Sequence, residues 1–272
     1  MTTAVSAPEA TSRDTVRQVA VFVSTVVAVL VSFLGSGAVV GTPVSQVANG
    51  ALDTDATLVA PAGTAFAIWG VIYTGLLLLG INQAMPWRRT DPRQRRAGWL
   101  IVASAVLNAV WIVTVQLELL VVSVVLIGAL VGVLVAALLR LNEQPATTAY
   151  ERLVVDGTLG LYLGWACIAT VANTAAAALD AGASPTGSSA TTWAIVVLVV
   201  AGGVGILLAV GLRGRIAPAI GLAWGLAWVA AERAGGLPQS DAVAVAAALA
   251  AAITLIAAIA VRVTKGSPTA TA

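Results

Sequence analysis

The sequence contains no histidine, one cysteine (Cys167) and one lysine (Lys265) among its 272 residues. Without histidine there is no imidazole base, no His-ligated haem and no His-containing zinc site. A single cysteine can form neither an intrachain disulfide nor a paired redox site. Because the lysine lies near the carboxyl terminus, a GxxxxGK[ST] phosphate loop and a Schiff base within a helix are also excluded. We therefore expect a protein that is not an enzyme and has no cofactor.

Charge is scarce as well: 10% of the residues are charged and 59% are hydrophobic, with a mean hydropathy of +0.97. Soluble domains are about a quarter charged, so the composition predicts an all-α integral membrane protein. A membrane-spanning helix needs about 20 mostly apolar residues. Eight segments fit that length approximately: Val19–Val40, Ala62–Ala84, Ala97–Leu117, Leu119–Leu139, Val154–Leu179, Thr191–Leu212, Ile216–Ala231 and Ala242–Val263. The seventh is short and begins near Pro218, so a count of seven helices stays open.

The basic residues alternate between the two sides of this eight-helix arrangement. Thirteen of the 14 basic residues fall on the side of both termini, whereas Arg233 falls on the other side. The positive-inside rule then predicts a multi-pass protein of the cell membrane with both termini cytoplasmic. Glu118, between the third and fourth segments, predicts a hairpin turn at Gln116–Glu118. The predicted parts are a cytoplasmic tail (1–18), a five-helix membrane domain (19–180), an external loop (181–190), a three-helix segment (191–263) and a cytoplasmic tail (264–272).

Aromatic and amide side chains recur at helical spacing in the second, third and fifth segments. Indole and phenol rings offer flat apolar area with one hydrogen-bonding atom each. An asparagine within a membrane needs a partner in another helix or in a ligand. If the three faces converge, they form a pocket for a flat, largely apolar molecule; otherwise the same residues serve as interfacial aromatics and helix–helix contacts. The candidate ligand-binding residues are Phe66, Trp69, Tyr73, Asn108, Trp111, Tyr162, Trp165, Ala169 and Asn173.

Small residues and one carboxylate complete the set of notable positions. Gly221 and Gly225 are four residues apart, and together with Gly202, Gly203 and Gly205 they predict close packing between helices. Asp156 lies near the start of the fifth segment, where a carboxylate suits the positive end of the helix dipole.

Three motifs resemble the TspO family of tryptophan-rich sensory proteins, which is related to the mitochondrial translocator protein or peripheral benzodiazepine receptor. PAGTAFAIWGVIY (Pro61–Tyr73) is similar to the opening of that family's second helix, LNAVW (Leu107–Trp111) to its third-helix motif, and YLGWACIATVAN (Tyr162–Asn173) to its fifth-helix pattern. The resemblance covers roughly residues 19–180. It implies a five-helix bundle with a pocket for porphyrins and other hydrophobic ligands, with three additional helices after it. By motif, Trp69, Asn108, Trp111, Trp165 and Ala169 would line or support the pocket.

Two functions agree best with these observations, and a membrane enzyme and a purely structural membrane subunit are weaker alternatives. The favoured one is a membrane receptor or sensor-like protein that binds a planar hydrophobic ligand, such as a porphyrin or other tetrapyrrole, or a sterol-like lipid. The alternative is a transporter or permeation accessory for a small hydrophobic molecule, although ion-coupled carriers usually hold charged groups at mid-membrane. The expected partners are the hydrophobic small molecule, the lipid bilayer and a second copy in a homodimer, with no nucleic acid.

Overall fold

The computed structural model describes residues 9–37 and 41–265, which are mostly helical and contain no strand. The predicted tails lie partly outside this range, at residues 1–8 and 266–272, as do residues 38–40 of the first predicted span. The described residues form eight long helices: α1 (Ser12–Gly35), α2 (Gly63–Ala84), α3 (Pro92–Gln116), α4 (Leu120–Asn142), α5 (Ala149–Asp180), α6 (Ser188–Gly211), α7 (Ile216–Gly235) and α8 (Asp241–Lys265). The predicted all-α membrane fold is thereby confirmed.

Seven of these helices have the length and hydropathy of membrane spans, and α7 is the exception. Its proline, its glycines and its terminal Glu232–Arg233 pair reduce its mean hydropathy. It nevertheless runs the full distance between the two ends of the bundle. Arg215, directly before α7, pairs with Asp156 near the start of α5, whereas Arg233 in its last turn contacts the segment before α2. The chain is a multi-pass α-helical membrane protein.

Side-chain contacts define the two ends. At one end, which we call the basic end, Asp14 of α1 pairs with Arg95 of α3, and Gly214 lies against Arg262 of α8. At the other, which we call the far end, Glu118 accepts a hydrogen bond from the backbone N–H of Ala48. The predicted α3–α4 hairpin is confirmed: α3 ends at Gln116, and Glu118 turns the chain with a φ of 60°.

Three helices begin more than one turn before the apolar segment that predicted them. α1 begins at Ser12, α3 at Pro92 and α5 at Ala149. Capping contributes to all three starts. The Asp14 carboxylate of α1 accepts from the backbone N–H of Thr11. The Asp91 carboxylate accepts hydrogen bonds from the first N–H groups of α3, and the Thr148 hydroxyl accepts from the backbone N–H of Glu151. The added turns carry charged residues that form ion pairs at the basic end. Because these residues are hydrophilic, a prediction based on hydropathy left the added turns out of the helices.

α5 is the central helix, because it packs along α4 on one side and along α7 on the other. Helices α1–α5 form one bundle, and α6–α8 form a second group that joins it mainly through α7. Gly160 and Gly164 of α5 face Pro218 and Gly221 of α7, and a methyl group added at Gly164 would lie 2.1 Å from the Pro218 carbonyl oxygen. The predicted close packing is confirmed at Gly221, whereas Gly203 faces open space.

Candidate ligand-binding site

Five of the predicted residues form one aromatic cluster between α2 and α5. The Trp69 ring stacks on Tyr73 at a centroid distance of 4.8 Å. It also meets Tyr162 and Trp165 edge-on, at 5.8 Å and 6.1 Å. Phe66 contacts the other side of Trp165 at 5.4 Å. These are the offset and edge-to-face geometries that aromatic pairs prefer. The aromatic faces predicted on α2 and α5 therefore do converge.

Asn173 joins three helices next to this cluster. Its side-chain oxygen accepts a hydrogen bond from the Trp111 indole at 3.2 Å. The Ser123 hydroxyl shares its one proton between this oxygen, at 3.1 Å, and the Leu120 carbonyl, at 2.7 Å. Its amide nitrogen donates to the Ala169 carbonyl at 2.8 Å. α3, α4 and α5 are therefore held together by one buried amide, and the Trp111 ring is fixed in the wall of the site.

Asn108 lies beside Tyr73, at the side of the aromatic cluster that faces α1. It is fully buried and donates to the Ser32 hydroxyl of α1 at 2.9 Å. The Tyr73 hydroxyl lies beside both of these side chains. Asn108 therefore joins α1 to α3. The sequence alone could not decide whether this asparagine contacts a ligand or a neighbouring helix.

A small cavity of about 40 Å³ lies among α2, α3 and α5 toward the far end, under the segment between α1 and α2. Trp165 is 2% exposed, and its indole N–H has no hydrogen-bond partner among the described residues. A buried donor without an acceptor costs about 1–3 kcal/mol, and a ligand could provide that acceptor. Six of the predicted residues line the cavity: Phe66, Trp69, Trp111, Trp165, Ala169 and Asn173. Tyr73, Asn108 and Tyr162 lie outside its lining.

The remaining wall of the cavity is the segment between α1 and α2, from which sequence analysis selected no site residue. Asp53, Thr57 and Pro61 cover the far end of the cavity, together with Val44 and Leu52. Pro61 is part of the motif quoted for the second helix, whereas Asp53 and Thr57 carry no periodic pattern. We call residues 42–62 the roof.

The roof and the start of α2 are held by α7, across the predicted boundary at residue 180. Arg233 is fully buried and donates to the backbone carbonyls of Thr54 at 2.7 Å and Thr57 at 3.1 Å. The Trp224 indole donates to the Ala65 carbonyl at 2.9 Å. The sequence did mark Arg233 as unusual, because it is the single basic residue on the side of the membrane opposite the two termini.

The basic end contains a buried network of charged side chains. Asp156 bridges Arg93 of α3, at 2.6 Å, and Arg215 before α7, at 2.9 Å. Glu151 pairs with both Arg93 and Arg88. Burial lowers the pKa of Arg88, but its hydrogen bonds and charge interactions with Asp91 and Glu151 outweigh that effect and raise the pKa above its ordinary value. Asp156 thus serves as an ion-pair partner, beyond its expected effect on the helix dipole.

The family follows from a comparison with family models. The model of the TSPO-like protein family matches residues 18–261, and the chain belongs to that family. The match continues through α6, α7 and α8, which the motifs in residues 19–180 did not cover. No curated protein and no solved structure matches the chain.

Proposed function

We propose that this TspO-type membrane protein is a receptor for an uncharged, planar, hydrophobic molecule that binds among Phe66, Trp69, Trp111 and Trp165. The observation that carries the proposal is the buried Trp165 N–H, which lacks an acceptor in the wall of an aromatic-lined cavity. A ligand with a flat ring system and a hydrogen-bond acceptor, such as a tetrapyrrole or a ring-fused sterol-like lipid, would satisfy both features of the site.

The small volume of the cavity indicates how such a ligand would bind. Sites for small molecules usually measure about 300–1,000 Å³, and this cavity measures about 40 Å³. The helices that carry the aromatic cluster are joined by buried contacts, whereas the roof is a connecting segment held to α7 by Arg233. Displacement of the roof is therefore the movement that would admit a ligand.

The charge of the site favours a neutral ligand. Asp53 lines the cavity, and the lining contains no basic residue to oppose it. A porphyrin carboxylate placed beside Asp53 would be repelled, and Arg233, the buried cation that contacts the roof, is not part of the lining. Protoporphyrin IX dimethyl ester, which lacks free carboxylates, is accordingly the better probe, and protoporphyrin IX itself is the matched charged ligand.

A binding role is favoured over ion-coupled transport and over catalysis. The charged side chains of the helices lie toward the helix ends, and the central parts of the eight helices carry none. Asp156, the most interior carboxylate, is paired with two arginines. Asp53 is the one titratable side chain in the cavity lining, and it lies in the roof and not within a membrane-spanning helix, whereas ion-coupled carriers usually hold such groups at mid-membrane. The positive-inside pattern supports a cell-membrane location with the basic end in the cytoplasm.

The proposal is tested by titrating the purified protein with protoporphyrin IX dimethyl ester and following the quenching of tryptophan emission. Trp165→Phe removes the indole N–H, and Trp69→Phe removes stacking area worth about 0.5–1.5 kcal/mol. Each change should weaken binding by roughly threefold to tenfold.

Matched controls come from tryptophans at the surface of the bundle. Trp87 and Trp99 are 71% and 52% exposed, so Trp87→Phe and Trp99→Phe should leave the affinity unchanged. Equal affinities in all four variants would mean that the tryptophans only pack and anchor the helices, and the receptor proposal would then be abandoned.

A further inference from the structure

A second, larger cavity of about 550 Å³ lies between α5 and α6 at the far end. Thr174 and Ala178 of α5 form one wall, and Ser189 and Trp193 of α6 form the other. Its volume falls in the range of about 300–1,000 Å³ that is typical of small-molecule sites. No residue of the candidate aromatic cluster lines it.

The lining of this cavity restricts the chemistry of an occupant. None of its lining residues is charged, and the polar side-chain groups are the hydroxyls of threonine and serine and the indole N–H of Trp193. The Thr174 hydroxyl donates its proton to the Thr170 carbonyl at 2.7 Å, so its oxygen remains available as an acceptor. An uncharged chain with a hydroxyl group could donate to that oxygen and bury its apolar part against Val171 and Ala175.

The two cavities use different faces of the same helix. Ala169 and Asn173 of α5 face the aromatic cavity, whereas Val171 and Ala175 face the larger one. They adjoin at the roof, where Thr57 lines both. The larger cavity is therefore next to the aromatic cavity but has a separate lining, apart from Thr57.

We propose that the cavity between α5 and α6 is a second binding site, which takes an uncharged lipophilic alcohol with its hydroxyl group on Thr174. The site lies where α5 ends and α6 begins, and its mouth carries Trp193, which is 67% exposed. Tryptophan at a helix end is typical of the membrane–water interface, where the hydroxyl of such a molecule also lies. The proposal does not depend on the receptor function assigned to the aromatic cavity.

The test is photolabelling of the full-length protein with hexadecanol that carries a diazirine in its chain, followed by mass spectrometry of the labelled peptides. We expect saturable labelling of residues 171–179 and 189–197, with unlabelled hexadecanol competing better than hexadecane, which lacks the hydroxyl. Thr174→Val should abolish that difference between competitors. Thr192→Val is the matched control, because Thr192 makes the same bond to its own helix, to the Ser188 carbonyl, but does not line the cavity.

A second pair of variants tests the volume. Ala178→Phe fills the cavity and should remove the saturable labelling, whereas Ala248→Phe adds the same side chain on an exposed face of α8 and should retain it. Equal competition by hexadecane and hexadecanol, or labelling spread over all lipid-facing helices, would overturn the proposal. Porphyrin-ester binding measured in the same preparations reports the aromatic site separately, so failure of one proposal is distinguishable from failure of the other.

Discussion

The two ends of the molecule join α1–α5 to α6–α8 by different means. At the basic end, Asp156 lies between two buried arginines, Arg93 and Arg215, so charge meets charge. At the far end, the buried cation Arg233 donates to backbone carbonyls of the roof. The aromatic cavity and the cavity between α5 and α6 both lie at the far end. The comparison supports our proposal that a ligand enters by displacement of the roof, while the ion pairs of the basic end stay in place.

The largest effect is expected when the basic end is broken. Asp156→Leu leaves Arg93 and Arg215 as buried like charges without their shared partner, which should cost about 3–5 kcal/mol of folding free energy. Thermal unfolding of the purified variant in detergent, followed by size-exclusion chromatography, measures this loss.

An exposed ion pair at the same end is the control. Glu143 pairs with Arg96 and Arg140, and all three side chains are exposed. Glu143→Gln should change stability by no more than about 1 kcal/mol. Similar losses in Asp156→Leu and Glu143→Gln would contradict the view that the buried bridge fixes the basic end.

The corresponding change at the far end is Arg233→Met. It leaves the carbonyls of Thr54, Thr57 and Pro238 without their buried donor, and we expect a loss of about 2–3 kcal/mol, since one unsatisfied buried polar group costs about 1–3 kcal/mol. Because the roof is freed, protease cleavage within residues 42–62 should also become faster. Arg213→Met, at an exposed arginine, should leave the cleavage rate unchanged. A roof that stays equally resistant in both variants would show that Arg233 does not hold it.

Between the two ends, Gly164→Ala tests the packing of α5 on α7. The added methyl would meet the Pro218 carbonyl and the Leu222 backbone nitrogen, and overpacking of this kind costs about 1–3 kcal/mol. Gly203→Ala adds a methyl group where nothing lies within 4 Å, so its melting temperature should match that of the unchanged protein.

The smallest effect is expected at the site itself. Ser123→Ala removes one of the two hydrogen bonds to the Asn173 oxygen and leaves the Trp111 bond in place. Hydrogen bonds between membrane helices average about 0.6 kcal/mol, so stability should fall by about that amount. A loss several times larger, measured by the same thermal unfolding, would indicate that the Ser123 hydroxyl has a further role in the site.

Hydropathy predicted the helices well because the requirement for about 20 apolar residues is local in the sequence. The hairpin at Glu118 was predictable for the same reason, as one charge interrupted a long apolar run. The early starts of α1, α3 and α5 were not predictable, because their charged turns are stabilised by partners far away in the sequence. Asp156 shows this most clearly: its two arginines lie about 60 residues to either side, and no spacing within α5 indicates them.

The site was predictable where it depends on helical periodicity and not where it depends on loops. Trp69 and Trp165 each belong to a stripe, and their faces converge as expected. Asn108 shares a stripe with Trp111, yet it reaches Ser32 on the opposite side, since periodicity gives a face and not the neighbour of that face. Thr57 and Arg233 have no periodic partners, so their contact could come only from the structure.

The glycine contact between α5 and α7 has a consequence for assembly. Gly160 and Gly164, and also Gly221 and Gly225, each form a GxxxG pattern, which commonly mediates pairing of separate membrane helices. Here the two patterns pair α5 with α7 within a single chain. Their effective concentration is set by the residues that connect the two helices and does not depend on the expression level. The α5 glycine face is already occupied, so a homodimer of this protein would have to form on another surface, and dilution would separate its subunits without uncovering the glycines.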